Sequence, residues 1–377
     1  MSIPPLGNLS PETFLAEYWQ KKPLLIRQAV TQFDWLPGLD DLIELATHDD
    51  VESRLVECKS GKWTCDCGPF KPSRLRRLGE RDWTVLVQSV NHHIPFADTL
   101  LHRFDFVPQV RLDDLMISYA PPGGGVGPHF DSYDVFLLQV GGSKRWRISS
   151  QTDLTLVEGA PLKILQHFEP EQEWVLEHGD MLYLPPKYAH DGVAIEAGMT
   201  WSVGFRAPTA QEIGVAFLDF LRDRITLDGF YTDPDLRATQ ETGRVPADFT
   251  DQIAAMLDGI RWDRQLIEDF TGRYFSEPKP HVFYDTPDDE PSDKQFAREV
   301  ARQGVVLDLK TVMLYDDRAI YINGDTLDAE PDSHAALHEL ANTRHLPPAS
   351  YPSDVISALL DCFECGYLHL GSEPPHD

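Results

Sequence analysis

Basic residues are scarce in this sequence of 377 residues. Lysine and arginine together number 33 against 61 aspartates and glutamates, which gives a net charge of −28. DNA-binding proteins neutralise phosphates with lysine and arginine, so this balance argues against a DNA partner. It favours a basic partner, such as a basic protein substrate.

Long hydrophobic runs are also missing. No apolar stretch approaches about 18 residues, the length that suggests a membrane span, and the N-terminus has no charged-then-apolar leader. We therefore expect a cytoplasmic protein with no membrane association. The composition, 42% hydrophobic and 10% aromatic, is that of a globular chain long enough for two or three domains.

Cysteine is sparse, and the five cysteines do not form a disulfide framework. They are Cys58, Cys65, Cys67, Cys362 and Cys365. The last two have the spacing of a zinc-ligand pair, but no second pair of this kind exists. Because they lie in the apolar periodic segment VISALLDCFECGYL, we expect them to be free thiols buried on a helix.

The helix-spaced metal motif HExxH is absent, and the candidate metal ligands lie in two other motifs. The stretch 121–146, PPGGGVGPHFDSYDVFLLQVGGSKRW, contains His129 and Asp131 with one residue between them. Residues i and i+2 of an extended strand project from the same face, so these two side chains can converge on one ion. The best third ligand is His190, in GDMLYLPPKYAHDG. Two histidines and a carboxylate make the facial triad of non-haem iron oxygenases.

Short strands separated by turns rich in glycine and proline surround both motifs. We predict strands at 111–120, 135–140, 144–149, 174–177, 181–184 and 200–206. Strands of this length and spacing indicate a sandwich or barrel, because parallel βαβ units would place a helix after each strand.

The motifs resemble those of a known family. Gly123-x5-His129-x-Asp131 and Gly179-x5-Pro185-x4-His190 resemble the two histidine motifs of the cupin superfamily. The longer segments DDLMISYAPPGGGVGPHFDSYDVFLLQVGGSKRWRI and TWSVGFRAP are similar to the JmjC-type bacterial ribosomal oxygenases, and the resemblance covers nearly the whole chain. It implies a fold that is mainly β with α, built on a double-stranded β-helix.

The resemblance also implies an activity. Relatives of this type use Fe(II), O2 and the co-substrate 2-oxoglutarate. The expected substrate is an arginine of large-subunit ribosomal protein number sixteen, and the products are hydroxyarginine, succinate and CO2. His129, Asp131 and His190 would be the metal ligands and the catalytic centre.

Three further residues are implied as co-substrate ligands. Lys144, in the strand after a double glycine, matches the basic residue that holds the distal carboxylate of 2-oxoglutarate. Ser118 and Thr200 match hydroxyl positions beside it. The alternative for Lys144 is a solvated charge at a strand edge.

The resemblance places Asp114, Met116 and Tyr133 in the pocket for the substrate arginine. A guanidinium forms paired hydrogen bonds with a carboxylate and stacks on an aromatic ring, which Asp114 and Tyr133 supply. Met116 would pack against the aliphatic part of the arginine.

The chain divides into three predicted domains. They are a JmjC catalytic domain at 1–208, a helical domain at 209–280 and a winged-helix-like domain at 287–377. Helical periodicity at 211–225, 249–257 and 262–275 defines the second domain, which the resemblance identifies as a dimerisation domain, so we expect a homodimer.

The last domain combines helices with a two-stranded ribbon. The predicted helices are 294–302, 333–343 and 353–363, and the predicted hairpin is 312–315 with 319–322. Winged helices commonly bind DNA, but residues 287–377 contain 6 basic and 18 acidic side chains. We therefore expect no direct DNA binding by this domain.

Three alternatives remain open on the sequence. The first is another JmjC activity, such as histidyl hydroxylation or lysyl demethylation. The second is a cupin isomerase or a metal protein without oxygenase activity. The third is a transcriptional regulator, which the charge balance disfavours.

Overall fold

The computed structural model describes residues 3–33, 36–288 and 291–371. These form two compact units, which we describe separately. The larger unit comprises the chain up to Ala207, residues 278–312 and the chain from Asp328 onward, and the smaller comprises residues 208–277 and 313–327. The outer ends of the predicted domains 1–208 and 287–377 lie outside the described residues.

Strands form the core of the larger unit. In chain order they are β1 (Leu24–Ile26), β2 (Ser53–Lys59), β3 (Lys62–Cys67), β4 (Trp83–Val87), β5 (Leu112–Ala120), β6 (His129–Phe130), β7 (Val135–Val140), β8 (Ser143–Ser149), β9 (Gln172–Glu177), β10 (Met181–Leu184), β11 (Ala189–Ala194) and β12 (Gly198–Phe205). One antiparallel sheet has the order β1-β10-β7-β12-β5-β4-β2-β3, and a second has the order β6-β11-β8-β9. The predicted barrel strands are all present. The extended segment predicted at His129 is the short strand β6, which ends before Asp131, and β11 was not predicted.

Strand β7 shows how the two sheets form a barrel. All six of its residues are buried, which excludes a strand with one solvated face. Val135 and Leu137 pack in an apolar cluster with residues of β8, β9 and β10, between the two sheets. Phe136 and Leu138 project from the other face into the main core.

Helices and N-terminal aromatic residues cover the outer face of the large sheet. The helices are α1 (Pro11–Glu17), α2 (Leu39–Leu45), α3 (Pro72–Leu75) and α4 (Pro95–Leu101). Helix α1 begins at Pro11, because the Ser10 hydroxyl accepts a hydrogen bond from the Thr13 amide and Pro11 occupies the first turn. Its Phe14 is fully buried and packs edge-on against Tyr183.

A double glycine carries the chain from one sheet to the other. Gly141 and Gly142 join β7 to β8 with φ values of 67° and 53°, which side chains with a Cβ rarely adopt. A Cβ on Gly142 would also lie 2.2 Å from the carbonyl oxygen of Ala197. This tight crossing places Lys144 at the start of the strand that lines the barrel interior.

Helices and short strands make up the rest of the chain. They are α5 (Ala210–Arg222), α6 (Ala247–Leu257), α7 (Arg264–Ser276), α8 (Asp293–Gln303), β13 (Val305–Leu307), β14 (Met313–Tyr315), β15 (Ile320–Ile322), β16 (Asp325–Leu327), α9 (His334–Thr343), β17 (His345–Leu346), α10 (Ser353–Glu364) and β18 (Leu368–Leu370). Every helix predicted in this region is present. The small sheet β17-β13-β18 was not predicted, because strands of two or three residues show too little periodicity.

The predicted hairpin is present as β14 and β15, and β16 extends it to three strands. It belongs to the smaller unit together with α7. Gly272 of α7 lies directly against the Tyr321 ring, since a Cβ there would be 2.3 Å from two ring atoms. In the larger unit Cys362 is buried as predicted, but Cys365 is exposed because it caps the C-terminus of α10.

The smaller unit exposes several large apolar side chains, and the homodimer stays a prediction that these residues allow to be tested. Val215 and Leu218 are 49% and 62% exposed and lie one helical turn apart on α5.

We expect light scattering to give twice the chain mass of 42.7 kDa. Replacing both residues by glutamate should yield a monomer. Its unfolding temperature should equal that of the wild-type protein diluted to a concentration at which it is a monomer. A dimer that persists in this double variant would place the interface elsewhere.

Candidate metal centre

The barrel interior brings His129, Asp131 and His190 together. His129 lies in β6 and pairs directly with His190 of β11, so their ring centroids are 4.2 Å apart. Asp131 follows β6, and its Oδ2 lies 3.5 Å from His190 Nε2 and 4.0 Å from His129 Nε2. One ligand atom from each of the three residues lies within 4.8 Å of the other two.

Backbone hydrogen bonds orient both imidazoles. His129 Nδ1 lies 2.9 Å from the Gly127 carbonyl oxygen, and His190 Nδ1 lies 2.9 Å from the Tyr188 carbonyl oxygen. A carbonyl only accepts, so each Nδ1 carries the proton and donates it. Each Nε2 therefore presents a lone pair toward Asp131, which is the tautomer that binds a metal.

The charge state of His190 also suits metal binding. Burial and, to a smaller extent, the neighbouring His129 lower the pKa of His190 to about 4 against the attraction of Asp131. The ring is therefore neutral near pH 7. Two imidazoles and one carboxylate are a ligand set that would fit a divalent transition metal.

The glycines before His129 allow this close approach. The Gly123 amide donates to the Ala194 carbonyl, and the Ala194 amide donates to the Gly124 carbonyl. A Cβ on Gly125 would lie 2.4 Å from the Gly192 carbonyl oxygen. Glycine at position 125 therefore lets the chain lie against β11 and bring His129 level with His190.

The three predicted co-substrate ligands lie together in the same interior. Lys144 is buried, and its Nζ donates a hydrogen bond of 3.0 Å to Thr200 Oγ1. Thr200 pairs with Ser118 across β12 and β5, and Ser118 Oγ donates to the Thr200 carbonyl at 3.4 Å. Lys144 is thus an interior cation rather than a solvated charge at a strand edge.

Burial lowers the pKa of Lys144 to about 8, and Asp191 raises it only in part. The Lys144 ammonium is buried and donates to one hydroxyl group. An anion bound beside it would stabilise the protonated form and raise the pKa of Lys144 toward its ordinary value. The site therefore fits a ligand with a carboxylate at the Lys144 end and metal-binding oxygens at the triad end.

Sequence reasoning missed Trp146, which lies beside Lys144, and Gln139, which pairs with Thr200 across β7 and β12. Among the described residues, Trp146 Nε1 and Gln139 Oε1 are buried polar atoms without a hydrogen-bond partner. The Trp146 ring lies 4.7 Å from Lys144 Nζ and 5.9 Å from the His190 ring. The strand alternation could have identified Trp146, since it follows Lys144 by two residues and shares its face.

The predicted substrate residues continue the same interior face. Asp114, Met116 and Ser118 alternate along β5, so they form a row that begins beside Thr200 and ends at Asp114. Tyr133 follows Asp131 by two residues, and burial, with the charges of Asp131 and Asp114, raises the pKa of its phenol. Tyr133 is 38% exposed, which leaves part of the ring open to a ligand.

The environment of Asp114 includes two residues that sequence reasoning missed. Its Oδ2 accepts hydrogen bonds from the Ser89 amide at 2.9 Å and the Ser89 hydroxyl at 3.2 Å. Lys279 Nζ lies 3.6 Å from the same oxygen. No local pattern connects these residues with Asp114, because they are distant in sequence.

Comparison with known proteins agrees with this geometry. Residues 99–213 match the JmjC domain family, and residues 259–369 match a ROXA-like winged helix. The chain is 35% identical over 324 residues to the ribosomal protein uL16 3-hydroxylase of Escherichia coli, covering 84% of this chain and 85% of the relative. The chain belongs to the JmjC ribosomal oxygenases.

Solved structures support the family assignment. The ribosomal oxygenase YcfD from Escherichia coli superposes with a TM-score of 0.82 at 30% identity, over 99% of this chain and 100% of that chain. Its complex with cobalt and 2-oxoglutarate gives a TM-score of 0.81 at 31% identity, over 96% and 98% of the two chains. The predicted family, the JmjC barrel, the winged helix and the oxygenase class are confirmed.

Two further predictions concern parts of the chain beyond the site. Among the described residues no helix combines the length and apolarity needed to cross a membrane. The match to the winged helix begins at residue 259, within the predicted helical domain, and the boundaries 1–208, 209–280 and 287–377 stay predictions.

Proposed function

We propose that this chain is a hydroxylase dependent on Fe(II), 2-oxoglutarate and O2 that acts on an arginine of ribosomal protein uL16. One observation carries the proposal. A triad of two Nε2 atoms and a carboxylate lies in the same barrel interior as the buried cation Lys144, and a row of residues leads from there to Asp114. A relative named as a uL16 3-hydroxylase and a structure with cobalt and 2-oxoglutarate support it.

His129, Asp131 and His190 would hold the iron, and Lys144 with Thr200 would hold the distal carboxylate of 2-oxoglutarate. The bound iron supplies oxidation of a substrate C–H bond to C–OH, while 2-oxoglutarate and O2 are converted to succinate and CO2. The protein contributes the geometry. Two histidine ligands oriented by backbone carbonyls, of which His190 is buried, would keep the ion in one place, and the Lys144 ammonium would fix the far end of the co-substrate.

The substrate side chain would enter between Tyr133 and Asp114. Ser89 already occupies Asp114 Oδ2 with two hydrogen bonds, so a guanidinium would be received at Oδ1 and would stack on the exposed part of Tyr133. The sequence suggested paired hydrogen bonds from the guanidinium to both oxygens of Asp114. That pairing would require the displacement of Ser89 from Oδ2. The net charge of −28 favours the approach of a basic ribosomal protein.

The direct test combines mass spectrometry with succinate release. Purified protein with Fe(II) and 2-oxoglutarate is incubated with uL16 and, separately, with the other basic ribosomal proteins of the same organism. We expect a gain of one oxygen on one arginine of uL16, with succinate formed in equal amount. Oxidation of a histidine, or loss of a methyl group from lysine, would instead assign another JmjC activity.

We expect Asp114→Asn and Tyr133→Ala to weaken peptide oxidation more than co-substrate turnover. Each change removes one contact of the guanidinium, so kcat/KM for the arginine peptide should fall by about tenfold to a hundredfold. Release of succinate without peptide should persist, because it needs only the triad and Lys144. Asp251→Asn, at an exposed position of α6, is the control. Equal peptide oxidation by wild type and both variants would remove these residues from the substrate pocket.

A further inference from the structure

Two adjacent carboxylates at the start of β5 share one lysine from a distant part of the chain. Lys279 Nζ lies 3.2 Å from Asp113 Oδ1 and 3.6 Å from Asp114 Oδ2. Lys279 follows α7 in sequence and belongs to the C-terminal portion of the larger unit. That portion therefore contributes a charge to the residue proposed to receive the substrate.

Asp114 needs this charge because it is only 6% exposed. A buried carboxylate is stable only when donors and opposite charges replace its water. Ser89 provides two donors from a backbone with φ of 51°, a left-handed conformation that turns its amide toward Asp114. Lys279 is the cation that lies against the same oxygen, Oδ2.

A glycine lies beside the other carboxylate oxygen of Asp114. Oδ1 lies 3.8 Å from the position that a Cβ on Gly204 would take, so no side chain of β12 covers it there. Lys279 therefore does not occupy the place of the guanidinium. Lys279 Nζ lies within hydrogen-bonding distance of Asp113 Oδ1. It approaches Asp114 at Oδ2, the oxygen that accepts from Ser89.

We infer that Lys279 is a positioning residue for substrate binding, which holds Asp114 with Oδ2 turned to Ser89 and Oδ1 presented to the substrate cation. The inference rests on the proposed function and extends it. It gives the C-terminal portion of the chain a role in the substrate pocket of the barrel. Burial lowers the pKa of Lys279, but Asp114 and Asp113 outweigh this and raise it, so the side chain is charged.

The test compares Lys279→Met, Lys279→Arg and the control Lys310→Met in the full-length protein. Lys310 is a lysine of the same C-terminal portion whose Nζ lies 5.8 Å from the Tyr284 ring. We expect Lys279→Met to raise the KM for the uL16 arginine peptide by about tenfold, because one charged contact is lost. The kcat and the KM for 2-oxoglutarate should stay within about twofold of wild type. Lys279→Arg should restore most of the affinity, and Lys310→Met should change nothing.

Binding of N-acetyl-arginine amide to the cobalt-loaded protein, measured by calorimetry, provides a readout without turnover. Lys279→Met should weaken it by the same factor. An unchanged or lower peptide KM, an equal effect of Lys310→Met, or no rescue by arginine would overturn the inference. If the wild-type protein binds the amide but does not hydroxylate the peptide, the proposed function fails. The affinity of Lys279→Met for the amide then still tests the inference. If wild type does not bind the amide, both fail.

Discussion

Replacing His129, Asp131 or His190 by alanine is expected to abolish turnover and metal binding while the barrel stays folded. Each residue supplies one of three protein ligands, and two ligands hold a divalent ion poorly. We expect kcat/KM to fall by at least about a thousandfold, because the metal supplies the chemistry. His129 and Asp131 are only partly buried, at 20% and 23% side-chain exposure, so their loss leaves little unfilled space.

The measurement is metal content by mass spectrometry of the purified protein, alongside succinate release at saturating Fe(II). Thermal unfolding of the metal-free proteins reports whether the fold survives. His167→Ala, which removes an exposed histidine outside the triad, is the matched control. A variant of the triad with wild-type activity and full metal content would show that the assigned ligand is wrong.

Lys144→Ala is expected to raise the KM for 2-oxoglutarate by about a hundredfold or more, because breaking a buried ion pair costs ~3 kcal/mol or more. The KM for peptide should change far less, since Asp114 and Tyr133 make the proposed contacts with the substrate. An unchanged KM for 2-oxoglutarate would exclude Lys144 from the co-substrate site.

Lys144 should make the affinity for 2-oxoglutarate depend on pH, which an arginine at this position would not do. The pKa of Lys144 is lowered to about 8 by burial, and only the protonated form attracts a carboxylate. Affinity for 2-oxoglutarate should be constant well below pH 8 and should fall as the pH rises through about 8, the pKa of Lys144 in the free protein. Calorimetry on the cobalt-loaded protein between pH 6.5 and 9 measures this. Lys144→Arg should bind with no loss over this range, because a guanidinium stays charged. A parallel loss in both proteins would assign the titration to another group.

Much of the site could be predicted from local patterns. Alternation along a strand places His129 with Asp131, and the same rule places Asp114, Met116 and Ser118 in one row. The apolar runs located the strands of the barrel, because short strands with turn residues between them show clear periodicity. Strand β11 was missed although it carries His190, since the polar residues His190 and Asp191 interrupt its apolar pattern.

The sequence by itself determined the ligand types, the fold class and the family, because these depend on residue identity and on spacing within a few positions. Only the tertiary structure decided which distant residues meet. The pairing of β6 with β11 brings His129 to His190, and the packing of the two sheets buries Lys144 beside Thr200. Ser89 and Lys279 reach Asp114 from loops that no periodicity links to β5. Such contacts follow from packing of the whole chain, which satisfies a buried carboxylate with whichever donors the fold brings near it.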